Sequence, residues 1–147
     1  MAIIGNIIWF LLGGLELGLC WLVFGLFWCC TIVGIPFGIA CFRIMRFCFF
    51  PFGKELIPCE MLGEKRIAGT AILNFIWIIF SGVWLSIEAF ILGAIWCCTI
   101  IGIPFGIASF NIGMASFAPL GKRVVSKETA AAARANYLKG KGTQNPA

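Results

Sequence analysis

The sequence predicts an all-α membrane protein: a tandem repeat of two helical hairpins, about four transmembrane segments, and a short C-terminal cytoplasmic helix. Three observations carry this. The 147 residues are 61% hydrophobic and 12% charged, whereas a soluble domain is about a quarter charged. With a mean hydropathy of +1.03, the surplus apolar side chain has to face lipid. The segment Trp28-Cys29-Cys30-Thr31-Ile32-Val33-Gly34-Ile35-Pro36-Phe37-Gly38-Ile39-Ala40 returns, nearly unchanged, from Trp96 to Ala108, at an offset of 68. Each copy is broken once by a Gly-Ile-Pro-Phe-Gly element inside a long apolar run.

The repeat is gapless. Upstream, Asn6 matches Asn74, Trp9 matches Trp77 and Gly14 matches Gly82; downstream, Pro51-Phe52-Gly53-Lys54 matches Pro119-Leu120-Gly121-Lys122. The chain therefore divides into a first membrane repeat (1–53), a cytoplasmic loop (54–70), a second membrane repeat (71–122) and a basic cytoplasmic tail (123–147). Crossing the hydrocarbon core takes about 20 helical residues, so each run is long enough to cross twice. The first helix of repeat one is expected from about Ile3 to Thr31. Trp9 and Trp28, with Trp77 and Trp96 in the copy, would mark the two interfaces roughly 28 Å apart at helical rise. Proline lacks an N–H and glycine loosens the backbone, so Gly34, Pro36 and Gly38 (Gly102, Pro104 and Gly106 in the copy) are the hinge or turn. A second helix from about Pro36 to Phe50 follows, ended by Pro51-Phe52-Gly53. It could span or re-enter.

Charge sets the expected orientation. One cluster runs from Lys54 to Arg66 and another from Lys122 to Lys141. Under the positive-inside rule both are cytoplasmic, which requires an even number of crossings between them. Two crossings per repeat put both termini inside, with the repeats parallel about an axis along the membrane normal. In the tail, Ser126 suits an N-cap, Glu128 the first turn and Lys139 the helix end.

Composition also excludes functions. A soluble enzyme, a disordered protein and a nucleic-acid module do not fit. There is no histidine, so imidazole acid–base pairs and histidine metal sites are absent; no enzyme activity, cofactor or nucleic-acid partner is implied. Of the eight cysteines, all but Cys59 lie in apolar runs, and read as reduced small side chains. Cys29-Cys30 and Cys97-Cys98 leave a third reading, soft-metal transport by paired thiolates, open. The N-terminus lacks a positive n-region and reads as uncleaved.

The Gly-Ile-Pro-Phe-Gly-Ile-Ala elements, the Pro-x-Gly-Lys ends and Gly121-Lys122-Arg123-Val124-Val125-Ser126 together resemble the YccF-domain family of bacterial inner-membrane proteins, over almost the whole chain. The resemblance implies two domain copies with two membrane segments each, in the bacterial inner (plasma) membrane. Larger relatives that fuse this domain to sodium/calcium-exchanger-type domains hint at ion transport. No catalytic residue carries over. The copies differ in charge: Arg43 corresponds to Asn111, and Arg46 to Met114.

Glu16 lies near the middle of the first long helix, and intramembrane ionisable residues are functional candidates. Glu88 corresponds to Cys20, one helical turn further on. In a homo-oligomer these carboxylates would form two staggered acidic rings of a cation path, with Arg43 and Asn111 as further pathway candidates. The alternative is a carboxylate paired with Arg43 or Arg46, or protonated. Gly14 and Gly18, with Gly82 and Ser86, are small-residue pairs suited to close helix packing. The functional expectation is a small oligomeric ion channel or transporter component. The rival is a structural or adaptor protein whose basic loop and tail recruit a protein partner or anionic lipid.

Overall fold

The computed structural model describes residues 2–66 and 68–144. Helix α1 runs Ala2–Cys29 and helix α2 runs Ile35–Phe49. Strand β1, Lys54–Pro58, leads into a 3-10 turn over Cys59–Leu62. The second copy gives α3, Thr70–Cys97, and α4, Ile103–Ser116. Strand β2, Lys122–Ser126, and helix α5, Lys127–Gln144, close the chain. Both α1 and α3 are long and apolar enough to cross a membrane. Each carries a π-helical segment at its small residues, Phe10–Gly14 and Ile78–Gly82. The wider turn there keeps Trp9 on the same buried face as Leu17 and Trp21.

Each hairpin is asymmetric. At about 1.5 Å per residue, α1 is about 42 Å long and α2 only about 22 Å. The shorter helix stops at the level of Gly14, whose added Cβ would sit 3.0 Å from the Cys48 carbonyl oxygen. Its last carbonyls have no intrahelical partner. Trp9 Nε1 donates to Cys48 O at 2.7 Å, fully buried. Beyond the helix the chain runs extended past the start of α1. There Asn6 holds both polar groups of one residue: its Nδ2 donates to Phe52 O at 3.1 Å, and Phe52 N–H donates to its Oδ1 at 2.9 Å. The copy repeats the clamp, with Trp77 Nε1 on Ser116 O at 2.7 Å and Asn74 on both groups of Leu120. Trp9 and Trp77 are thus wholly buried caps, not interfacial markers. Buried backbone groups demand partners, and indole N–H groups supply them.

The two hairpins pack antiparallel, not parallel. Trp28, at the end of α1, donates from Nε1 to Ser81 Oγ in the first half of α3 at 2.9 Å. Gly13, early in α1, lies against Leu92 and Trp96, late in α3. Midway, Cys20 Sγ donates to Glu88 Oε1 at 3.1 Å, and these two stand at equivalent places 68 residues apart. Each hairpin tip therefore sits beside the other's clamp, where Trp9 stacks on Phe105 and Phe37 on Trp77. The pseudo-twofold axis is perpendicular to the helices, and Ile44 and Ile112, another equivalent pair, are buried beside it.

The same axis passes through a two-stranded antiparallel sheet, so the protein is not all-α. Lys54 faces Ser126 and Pro58 faces Lys122, with Leu56 opposite its own repeat equivalent Val124. The segment expected as a loop and the start of the expected tail thus form one ribbon, lying alongside the helices. Alternation turns Leu56 and Val124 onto the helical core and Ile57 and Val125 toward Ala130 and Ala133 of α5. Ser126 caps α5, accepting from Thr129 N–H at 3.2 Å. Arg134 of α5 pairs with Glu55 of β1.

One difference between the copies is a defect. Ser81 gives Trp28 its partner, but the equivalent residue is Gly13, and Trp96 Nε1 has no partner among the described residues. Losing a buried hydrogen bond that leaves its acceptor unpaired costs about 1–3 kcal/mol. Trp9→Phe and Trp77→Phe should each lower the unfolding free energy in detergent by about that amount. Trp96→Phe, which strands no acceptor, should cost clearly less than either in the same denaturation series.

Candidate functional site

Every lysine and arginine, and every acid except Glu16 and Glu88, lies on α2, in the sheet, in the 59–66 turn region or on α5. The opposite outer face is built by α1 and α3. It exposes Leu12, Leu15, Val23, Ile87 and Ile91, and Trp84 at the position equivalent to Glu16. On this apolar face Glu16 is exposed and Glu88 half-buried. The two lie within electrostatic reach of each other. Antiparallel packing sets Glu88 against Cys20, one helical turn along α1 from Glu16. The structure therefore joins Glu16 and Glu88 in one acidic patch centred near the pseudo-twofold.

It does not bring the arginines there. Arg43 Nη1 donates to Lys122 O at 3.2 Å, on the sheet side of the molecule. Arg46 is exposed on the same helix, and neither forms an ion pair with Glu16 or Glu88. Asn111 sits exposed on α4, in a shallow cavity with Lys54 and Lys127. Lys122 reaches Met114 O at 3.3 Å. Burial lowers its pKa, because the charged ammonium loses water there.

The Gly-Ile-Pro elements are corners. Gly34 N–H donates to Thr31 O at 3.1 Å, and Gly102 N–H to Thr99 O at 3.1 Å. Pro36 and Pro104 occupy the first turns of α2 and α4, where the missing N–H costs nothing. A Cβ on Gly34 would lie 2.1 Å from Trp28 O, and one on Gly38 2.0 Å from Cys29 Sγ. Gly102 and Gly106 are as tight against Trp96 O and Cys97 Sγ. Small residues of the long helices serve the same hairpins: Gly14 and Gly82 under the clamped carbonyls, Gly18 under the Phe49 ring. Ser86 Oγ bonds Gly82 O and Gly113 O. All eight cysteines are free. Cys30 and Cys98 are exposed beside the corners while Cys29 packs on Gly38. Among the described residues no three His, Cys, Asp or Glu side chains cluster as a metal site.

Sequence reasoning missed the clamps. The available signal was an asparagine recurring at the start of each apolar helix, three residues before a recurring tryptophan. It also missed Ser81, whose match in the first copy is a glycine.

An exposed apolar face with two carboxylates, opposite a charged ribbon, defines a membrane-embedded protein built from two fused copies of one hairpin. The family profile described as "Inner membrane component domain", YccF, matches residues 4–54 and 72–122. The chain is also 39% identical over 139 residues to "Inner membrane protein YccF" of Escherichia coli (strain K12), covering 91% of this chain and 94% of that protein. The protein of the same name in Shigella flexneri matches equally well. No solved structure matches the chain. The chain belongs to the YccF family, and it is an inner-membrane protein.

Overpacking a tight site costs about 1–3 kcal/mol, more where the neighbour is backbone. Gly34→Ala and Gly82→Ala, whose Cβ atoms would meet Trp28 O at 2.1 Å and Ser116 O at 2.8 Å, should each lower stability by at least that much. Gly142→Ala in α5, which meets nothing within 4 Å, should be neutral or stabilising by up to about 1 kcal/mol. Thermal melts of the three variants in one detergent give the comparison.

Proposed function

We propose that this protein is a non-catalytic membrane platform. Its α1/α3 face is embedded in the inner membrane, and its sheet and α5 stand in the cytoplasm to recruit an anionic lipid or protein partner. The observation that carries this reading is the placement of the charged ribbon alongside the helices rather than at their ends. If the helices stood across the bilayer, the ribbon, its two open edges and α5 would lie at membrane depth. A charged side chain at the bilayer centre costs about 2.5–3.5 kcal/mol on insertion scales, and each unsatisfied backbone group costs several more. Laying the helices near the membrane plane leaves only Glu16 and Glu88 deep. Two carboxylates, neutralised or covered by another copy, weigh far less than more than ten charges. The basic side then faces the cytoplasm under the positive-inside rule, and both termini with it. The outer face of α5 offers the exposed Leu138 and Lys141 stacked over Tyr137 as a contact surface.

A second reading rests on the acidic patch. Two copies pressed together through their α1/α3 faces would bury Glu16 and Glu88 jointly. That homo-oligomer could pass or bind a cation, and a multi-pass arrangement of four crossings belongs with this reading. Transport by the paired cysteines draws the least support, since among the described residues no third His, Cys, Asp or Glu joins either pair.

Two measurements separate these readings. Epitope tags placed after Ile32 and after Ile100, at the two tips, should be unreachable from the periplasmic face in spheroplasts. Periplasmic access to both tips, or to one alone, would sink the in-plane platform. In liposomes, the wild type and Glu16→Gln/Glu88→Gln should show equally negligible cation flux. Wild-type flux that the double variant loses would establish the pathway reading instead.

A further inference from the structure

A cavity of about 250 Å³ opens where the tip half of α2 meets the start of α3, the 59–66 turn region and the bend after α4. Arg43, Lys65, Arg66 and Arg123 line it together with the apolar Ile39 and Leu73. Its charge is only partly balanced. Arg123 pairs with Glu64 at 2.8 Å and Arg66 with Glu60 at 3.5 Å. Among the described residues Arg43 and Lys65 make no ion pair, and the one hydrogen bond of Arg43 goes to Lys122 O. A guanidinium carries five N–H donors, so most of its donor capacity is uncommitted. The cavity thus offers two cations without an ion pair, two more held in place by acids, and adjoining apolar side chains.

Its pseudo-twofold twin shows what duplication alone supplies. There Pro104, Ile107 and Ala108 replace Pro36, Ile39 and Ala40, so these apolar side chains are kept. At the place of Arg43 stands Asn111, and at the place of Arg123 stands Glu55, committed to Arg134. The twin is lined by Lys54 and Lys127, neither the repeat equivalent of Lys65, and by no guanidinium. Three arginines line the first cavity and none its twin, while Arg134, paired with Glu55, lines the space adjoining the twin; arginine forks match phosphate oxygens better than lysine does.

We propose that this cavity binds the phosphate of an anionic phospholipid headgroup, with the acyl chains leaving over Ile39 and Leu73. The site rests on the platform reading only for its place at the lipid–water boundary; the pocket chemistry stands independently. A free phosphate anion shares the recognition chemistry but leaves the apolar side chains unused.

The test uses the delipidated full chain in detergent, titrated with phosphatidylglycerol and read by native mass spectrometry. Parallel arms use phosphatidylcholine, inorganic phosphate and glycerol phosphate. Arg43→Asn, which installs the twin's residue, should weaken phosphatidylglycerol binding about tenfold, the loss of one charge-assisted hydrogen-bonded contact. Lys65→Gln, in an exposed turn where folding is not at stake, should weaken it several-fold. Arg46→Asn, on the same helix but outside the cavity, should leave it unchanged. Phosphatidylcholine should bind much more weakly, and the soluble anions should not displace the lipid. Unchanged binding in both Arg43→Asn and Lys65→Gln, or equal losses in Arg43→Asn and Arg46→Asn, would overturn the site. Displacement by inorganic phosphate at matching concentration would overturn the headgroup assignment. Because no bilayer is involved, failure here is distinguishable from failure of the in-plane orientation.

Discussion

The structure depends on how a short helix ends inside an apolar environment. Helix α2 stops at the level of Gly14, halfway along its partner, and leaves carbonyls that neither water nor a further helical turn can reach. Trp9 and Asn6 supply those partners from the opposite strand of the same hairpin. An indole is well suited to this: it adds a large apolar body to the core and one N–H at its rim. With the clamp in place the chain can run extended past the start of α1 and enter a β-strand. Without it, the end of α2 would have to seek water and the ribbon could not lie along the bundle. The second copy solves the same problem with the same residue types, so the clamp sets the geometry of both halves.

Fusing two such hairpins around a pseudo-twofold frees each copy to differ. Positions on or near the axis lie close to their own equivalents, and at one of them the copies have diverged in chemistry. Cys20 meets Glu88, and Leu56 meets Val124. Off the axis, Ser81 satisfies Trp28 while Gly13 leaves Trp96 unsatisfied, and Arg43 lines a basic cavity where Asn111 lines its twin. The corners are nearly identical in both halves, but the packing residues of the helices are not: Trp21 stands where the copy has Ala89, and Phe47 where it has Ala115. The charged differences between the copies are few: Glu16 against Trp84, Cys20 against Glu88, Arg43 against Asn111, Arg46 against Met114 and Glu55 against Arg123.

Polarity is divided between two faces of the molecule. One broad face is apolar apart from Glu16, Glu88 and the Cys20 thiol. The other carries the ribbon, the turn region and α5 with nearly all of the charge. Membership of the YccF family agrees with an inner-membrane setting. The two carboxylates are the ionisable side chains of the acidic pair on the apolar side, with the Cys20 thiol bonded to one of them.

Much was legible without coordinates. The 68-residue repeat, the hairpins, their corners at Gly34 and Gly102, the long first helices and the capped tail helix all follow from local rules: hydrophobic run length, the missing N–H of proline, and side-chain capping. These are interactions between residues near in sequence. The ribbon was not legible, because Lys54–Pro58 is too short and too polar to signal a strand; pairing with Lys122–Ser126 makes it one. Nor was the antiparallel docking, since a gapless duplication is equally compatible with parallel and inverted packing. Apolar run length and the two basic clusters favoured four crossings with the repeats parallel. Contacts between the copies, Trp28 with Ser81 and Trp9 with Phe105, decided the relative orientation. Through it they decided which face is polar, where Glu16 and Glu88 meet, and why Arg43 lies far from both.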